Sequence, residues 1–246
     1  MKMKGIKNFI YKKYLRNRMS GPQIYMFNES GKLFNDVDSL IKALNLYKSD
    51  LGSYRLINHE FNKLSQELDK RTKNCGNNNK WEGPINTDSS RLLYHIVRKT
   101  KPKTIVETGV SKGVSTFFIL NALHKNKTGE LHSFDIIPSA GCILSNHERK
   151  KWNLIILDKR NARMEFYKAI EGVGNIDIFL HDSDHSYKNQ FFEYSVVFPK
   201  ITGKGYLLSD DVDSSYAFLD FTRINKLKQY YLITNKAFGL VEINRT

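Results

Sequence analysis

The chain has 246 residues, 40% of them hydrophobic and 12% aromatic. That is enough for one full-sized domain with an appendage and a large core, and it excludes a disordered chain. No apolar run approaches the roughly 20 residues that span a bilayer, while 39 Lys and Arg against 25 Asp and Glu leave a net charge of +14 that suggests an anionic partner.

The charge is uneven along the chain. Lys2, Lys4, Lys7, Lys12, Lys13, Arg16 and Arg18 make seven basic residues with no acid among the first 18, half of the net excess. In "IKNFIYKKYLRNR", Ile6, Phe9, Ile10 and Tyr14 fall at helical spacing. This predicts a short amphipathic helix that either lies on an anionic membrane surface or packs on its own domain. Lysines interrupt the segment before an apolar core of a signal peptide forms, so the expected location is cytoplasmic, peripheral at the membrane if the tail takes the first of these two roles.

Residues 1–80 read as a mainly helical, basic extension, because "VDSLIKALNLY" and "HEFNKLSQELDK" repeat apolar positions at three and four. "NCGNNNK" has nothing to bury and marks a boundary. The two cysteines, Cys75 and Cys142, show no metal-binding spacing and are expected as free thiols.

From Trp81 to the end the pattern changes. "TDSSRLLYHIVRKT" predicts a helix from Thr87 or Asp88 with Leu92, Leu93, Ile96 and Val97 on one face. The runs "KPKTIVETGV", "GELHSFDI", "NLIIL", "IDIFL" and "KGYLLS" predict strands, alternating with helical segments such as "STFFILNAL". Short apolar strands alternating with helices argue for a parallel sheet covered on both faces. "QYYLIT" and "AFGLVEI", separated only by "NK", predict a terminal antiparallel hairpin. The expected fold is a doubly wound α/β domain with a mostly parallel seven-stranded sheet over residues 81–246.

In such a sheet ligands bind at the carboxyl ends of the strands, near the point where strand order reverses. The first strand-to-helix turn, "VETGVSKGVST", carries Glu107, Thr108, Gly109, Gly113 and Ser115, with Thr116 behind. Its glycines permit positive φ and close backbone approach, or simply close strand-helix packing. Glu107 would repel a pyrophosphate, so the turn suits a cofactor carrying positive charge. Asp135 ends the next strand, where a carboxylate can bond a ribose diol or hold a turn. Further on, "LHDSDHSY" places Asp182, Asp184 and His185 after a buried strand, and Asp210 and Asp211 follow the next strand 28 residues after Asp182. Neighbouring strands lie about 5 Å apart, so these carboxylates can converge on a cation. Asp184 or Ser186 can equally cap the following helix, as can Asp211 or Asp213 the one after. His181 alternates away from Asp182 and is expected in the core.

The runs "IVETGVSKGVSTFFI", "LHSFDI", "IFLHDSDHSY" and "YLLSDDV", in this order, resemble the class I S-adenosylmethionine-dependent methyltransferases. More narrowly they are similar to the metal-dependent macrocin-type sugar methyltransferases and the cephalosporin-hydroxylase-like group. The resemblance implies S-adenosylmethionine held by Glu107, Thr108, Gly109, Gly113, Ser115, Asp135 and Asp182. It implies Mg²⁺ or another divalent cation on Asp182, Asp210 and Asp211, and Asp184 as general base, with His185 the alternative. Relatives usually have Glu-Asp where this chain has Asp210 and Asp211, so ligation by Asp210 is the weaker carry-over. The implied acceptor is a small molecule or glycan hydroxyl, and N-terminal additions in relatives make a homodimer compatible. The Asn/Asp-Pro-Pro-aromatic tetrapeptide of base-amine methylation is replaced by "HDSD", which disfavours a nucleic-acid acceptor. A non-catalytic binding module on the same fold is the other alternative; the glycine spacing disfavours a nicotinamide enzyme.

Overall fold

The computed structural model describes residues 27, 30–48, 50–74, 87–234 and 236–245. The basic segment 1–18, with its amphipathic-helix expectation, and most of the polar boundary at residues 74–80 lie outside the described residues. The elements run β1 (Gly31–Phe34), α1 (Val37–Ala43), α2 (Leu51–Asn74), α3 (Thr87–Thr100), β2 (Thr104–Thr108), α4 (Val114–Asn126), β3 (Glu130–Asp135), β4 (Trp152–Ile156), α5 (Ala162–Gly172), β5 (Ile176–His181), α6 (Tyr187–Val197), β6 (Ile201–Ser209), α7 (Ala217–Ile224), β7 (Gln229–Ile233) and β8 (Ala237–Glu242).

They form one eight-stranded sheet of order β1-β7-β8-β6-β5-β2-β3-β4. Strands β2 to β6 pair in parallel, and β8 inserts antiparallel between β6 and β7. The chain runs outward from β2 through β3 to β4, then returns to place β5 on the other flank of β2. The order therefore reverses between β2 and β5.

The eighth strand is the departure from the expected seven. Gly31–Phe34 lies in the segment read as helical, yet it pairs in parallel with β7, Gly31 opposite Gln229 and Phe34 opposite Leu232. Four residues are too few for a period to show. A Cβ on Gly31 would stand 2.7 Å from the Gln229 carbonyl oxygen, so glycine is what lets the strand dock.

Apolar faces decide which side each helix covers. On one side, α1 to α4 bury Leu40, Ile41, Ile57, Phe61, Leu68, Leu92, Leu93, Ile96 and Val97 with Phe118 and Leu120 against the sheet. On the other, Phe166 and Ile170 of α5, Tyr194 and Val197 of α6, and Phe218 and Phe221 of α7 do the same. Each fully buried large apolar side chain contributes about 1.5–3 kcal/mol. Helix α3 begins at Thr87, as its pattern predicted, and residues 37–68 share one core with it.

The thiols correct an expectation. Cys142 is disulfide-bonded, not free; the only other cysteine of the chain, Cys75, lies outside the described residues. The loop carrying Cys142 is drawn to the end of α2, where Arg71 donates to the Ile143 carbonyl at 3.2 Å. Sequence spacing could not reveal that approach. No helix among the described residues is long and apolar enough to cross a membrane.

Candidate functional site

Register aligns the strand ends. Thr108 pairs with Phe134 on one side and His181 on the other, and His181 with Ser209. The next residues in each chain, Asp135, Gly109, Asp182 and Asp210, therefore stand at one level across four neighbouring strands. Backbone bonds continue the ladder there: Gly109 N–H donates to Phe134 O, Asp182 N–H to Thr108 O, and Asp210 N–H to His181 O, at 2.9, 2.8 and 2.9 Å.

Gly109 sits at the reversal point with φ of 80°, and a Cβ would meet the Asp182 carbonyl oxygen at 2.0 Å. Gly113, at φ 97°, caps α4 and would meet Gly141 Cα at 2.9 Å. Both glycines let the turn pass tightly between β5 and the 140s loop. Asp135 holds the turn from below: one carboxylate oxygen accepts Val110 and Ser111 N–H at 2.8 and 2.9 Å, the other Ile137 N–H at 2.8 Å. It remains 8% exposed at the rim.

Glu107 faces inward. It is fully buried and accepts from the hydroxyls of Ser115, Thr116 and Ser133 at 2.5, 2.8 and 2.7 Å. Burial pushes its carboxyl up, against the pull of the three hydroxyls. Ser115 is thus spent on Glu107, and Thr108 on Glu193, to which its hydroxyl donates at 2.6 Å. Glu107, Ser115 and Thr108 thus brace the glycine turn from within.

Glu193 of α6 is a residue that sequence reading missed. It collects Thr108, His181 Nδ1, Ser183 and Asn189 at 2.6, 2.6, 2.7 and 2.8 Å. Burial raises its pKa, but His181 and the other donors outweigh burial and hold it below the ordinary value. Its helical spacing, on one face with Gln190, Tyr194 and Val197, was the available signal. With its Nδ1 bound to Glu193, His181 packs nearly edge-on against the His185 ring, centroids 5.6 Å apart.

The acidic ends gather as expected, with an unexpected member. His185 Nε2 stands 3.8 Å from Asp182 and 3.5 Å from Asp211. Lys236, in the turn between β7 and β8, places its ammonium 3.5 Å from Asp210 and 3.2 Å from Asp211. Burial and the neighbouring Asp210 push the Asp182 carboxyl well up; burial and Asp211 push Asp210 up to about 6. Burial opposes the charge of Lys236, but Asp210 and Asp211 overcome it and raise its pKa. Asp211 takes a left-handed backbone, φ 45°, which turns the chain sharply out of β6. Burial, followed by His181, lowers His185 to about 4, so its imidazole is neutral near pH 7.

Asp184 is set apart from this group. It is exposed, and its two carboxylate oxygens accept Ser186 N–H and the Ser186 hydroxyl, both at 3.0 Å. Ser186 is the cap of α6, accepting Asn189 N–H. Neither Asp211 nor Asp213 caps α7: its N-cap is Tyr216, which makes no side-chain cap bond, and Ser215 Oγ just before it accepts Ala217 N–H at 3.1 Å.

The same distances test the divalent ion. Mg²⁺ needs oxygens at about 2.0–2.1 Å in an octahedron. Here an ammonium is interposed, taking lone pairs of Asp210 and Asp211, and no group of three or more His, Cys, Asp or Glu among the described residues is placed to hold a metal. Asp182, Asp210 and Asp211 as arranged do not fit the ion.

Residues 106–212 match the family model of a methyltransferase domain. Solved structures share the fold at low identity. An O-methyltransferase of Bacillus cereus in complex with SAH is 12% identical over 73% of this chain and 90% of its own, with a TM-score of 0.53. SAH-bound PaMTH1 of Podospora anserina is 13% identical, covering 80% of this chain and 97% of its own, at 0.55. MycE of the mycinamycin pathway, in complex with Mg, SAH and mycinamycin VI, is 14% identical, covering 74% and 54%, at 0.50. No curated protein sequence matches the chain. The fold is the Rossmann-like fold of these methyltransferases, and the stretch matched by the family model runs from β2 to just past β6, across the strand-end site.

Proposed function

We propose that the protein is an S-adenosylmethionine-dependent O-methyltransferase acting on a hydroxyl of a sugar, glycan or other polyhydroxylated small molecule. One observation carries this reading: at the reversal of strand order, register brings the glycine turn, the rim carboxylate Asp135, Asp182 and Asp210 to one level of the sheet edge, where His185 reaches Asp182 and Asp211 from the loop after β5. The SAH-bound proteins of the same fold support the cofactor.

In this reading Asp135 receives the ribose diol, the Gly109–Gly113 turn lies along the cofactor, and the acidic surroundings balance its sulfonium. The cofactor brings the electrophile; the chain supplies position and a base. His185 fits the base better than Asp184, because it faces the converging carboxylates while Asp184 is engaged with Ser186. Tyr187, two residues on, stacks on Phe191 with centroids 5.7 Å apart and donates to Asp220 at 3.1 Å. A half-exposed aromatic face beside a carboxylate suits a sugar ring.

The test is calorimetric titration of S-adenosylhomocysteine into the full chain. Micromolar binding is expected, lost in Gly109→Arg, whose side chain must enter where the Asp182 backbone already stands. Absence of binding to the wild-type chain would overturn the reading.

A further inference from the structure

We propose that the ammonium of Lys236 supplies the positive charge at the acceptor end of the site, standing where a divalent cation would otherwise sit, so that methyl transfer needs no metal. The proposal rests on the methyl-transfer reading above and names the cation that serves it.

The acidic strand ends require one. Asp182 and Asp211 flank His185, Asp210 and Asp211 flank Lys236, and carboxylates gathered in this way repel one another unless a cation lies among them. Lys236 meets the requirement from the chain itself, 3.5 Å from Asp210 and 3.2 Å from Asp211. Its place is built by backbone. The Thr234 N–H donates to Lys236 O at 3.1 Å, closing the turn, and the Val212 N–H donates to Ala237 O at 3.0 Å, locking that turn against the end of β6. The side chain is 29% exposed and that of Asp210 12%, so solvent screens the pair only in part.

The chemistry follows from the donor count. An ammonium carries three N–H groups; two are directed at Asp210 and Asp211, and the third serves an acceptor oxygen. During transfer the acceptor O–H gives its proton to the His185 imidazole. The oxygen forms its bond to the methyl carbon as the S–CH₃ bond breaks. The products are the methyl ether, the neutral thioether and an imidazolium, which later returns its proton to water. Lys236 stays an ammonium throughout and stabilises the negative charge developing on oxygen, work that a Lewis-acidic ion would otherwise do.

The experiment titrates Mn²⁺ into the full-length protein at neutral pH, following the free ion by its paramagnetic resonance signal. Wild type, Lys236→Arg, Lys236→Met and Lys236→Met with Asp210→Asn are compared. Wild type and Lys236→Arg should leave the ion free at millimolar concentration. Lys236→Met, which removes the charge and keeps the bulk, should bind it at least about tenfold more tightly, an effect Asp210→Asn abolishes. Stoichiometric Mn²⁺ uptake by the wild-type chain, or equal affinity in wild type and Lys236→Met, would overturn the proposal. S-adenosylhomocysteine titration of the same samples separates the two readings, since loss of nucleoside binding bears on methyl transfer and the Mn²⁺ result on Lys236.

Discussion

Asp184 and His185 are adjacent in sequence and opposite in setting. The aspartate turns outward and binds Ser186, while the imidazole turns inward to Asp182 and Asp211. A positioned general base is worth about 10²–10⁴-fold. Once an acceptor is in hand, His185→Gln should reduce single-turnover methyl transfer by about 10²-fold or more with S-adenosylhomocysteine affinity retained. Asp184→Asn should cost less than about tenfold and act mainly through the α6 cap. Equal losses in the two variants would return the aspartate to the role its motif suggested. Residue types at this edge were legible in the sequence; which of two neighbours turns inward was not, because the choice depends on the Ser186 cap and on His181 and Glu193 behind it.

At the scale of elements, Glu148 ties three pieces together. It is buried and accepts from Arg71 of α2 at 2.7 Å, Asn121 of α4 at 3.0 Å, and Ser145 N–H and Oγ at 2.8 and 3.0 Å. Burial alone would raise its pKa, but Arg71 and the other donors lower it. Glu148→Ala would leave a half-buried guanidinium and an amide without their acceptor, costing about 2 kcal/mol, which lowers the melting temperature by about 6 °C. An unchanged melting temperature would show that the 140s loop is held otherwise. Most elements were readable: α3, the alternation from β2 to β6, and the closing hairpin each announce themselves by period or turn. β1 did not, since four residues carry no period and its partner lies about two hundred positions away. Lys236 escaped notice for a related reason. A lysine in a hairpin turn looks solvated until β8 is seen to enter beside β6.

Across the whole molecule, His95 links the early helices to the body. It is fully buried; Nε2 donates to Asn58 Oδ1 at 2.9 Å, and Nδ1 accepts from the Tyr47 hydroxyl at 2.5 Å, which assigns the neutral tautomer. Burial lowers its pKa to about 4, below the 6.5 of the unfolded chain. Below pH 6.5 the unfolded state binds the proton first, so this stabilisation is complete above 6.5 and is lost as pH falls toward 4. At most it amounts to about 3 kcal/mol. Denaturant unfolding between pH 7.5 and about 4.5 should show stability falling with pH, and His95→Gln should flatten that fall. Parallel slopes in the two proteins would assign the loss to other groups.

What the sequence determined by itself was local or periodic: helix faces, strand runs, the tight glycine turn and the acidic residues after β5 and β6. Such features follow from side-chain spacing and backbone freedom within a few residues. Tertiary structure alone decided what depends on chain segments far apart meeting: the docking of β1 on β7, the inward burial of Glu107, and the disulfide at Cys142. It also decided that the cation among the aspartates is Lys236, because register across the sheet sets distances between charges and spacing along the chain does not.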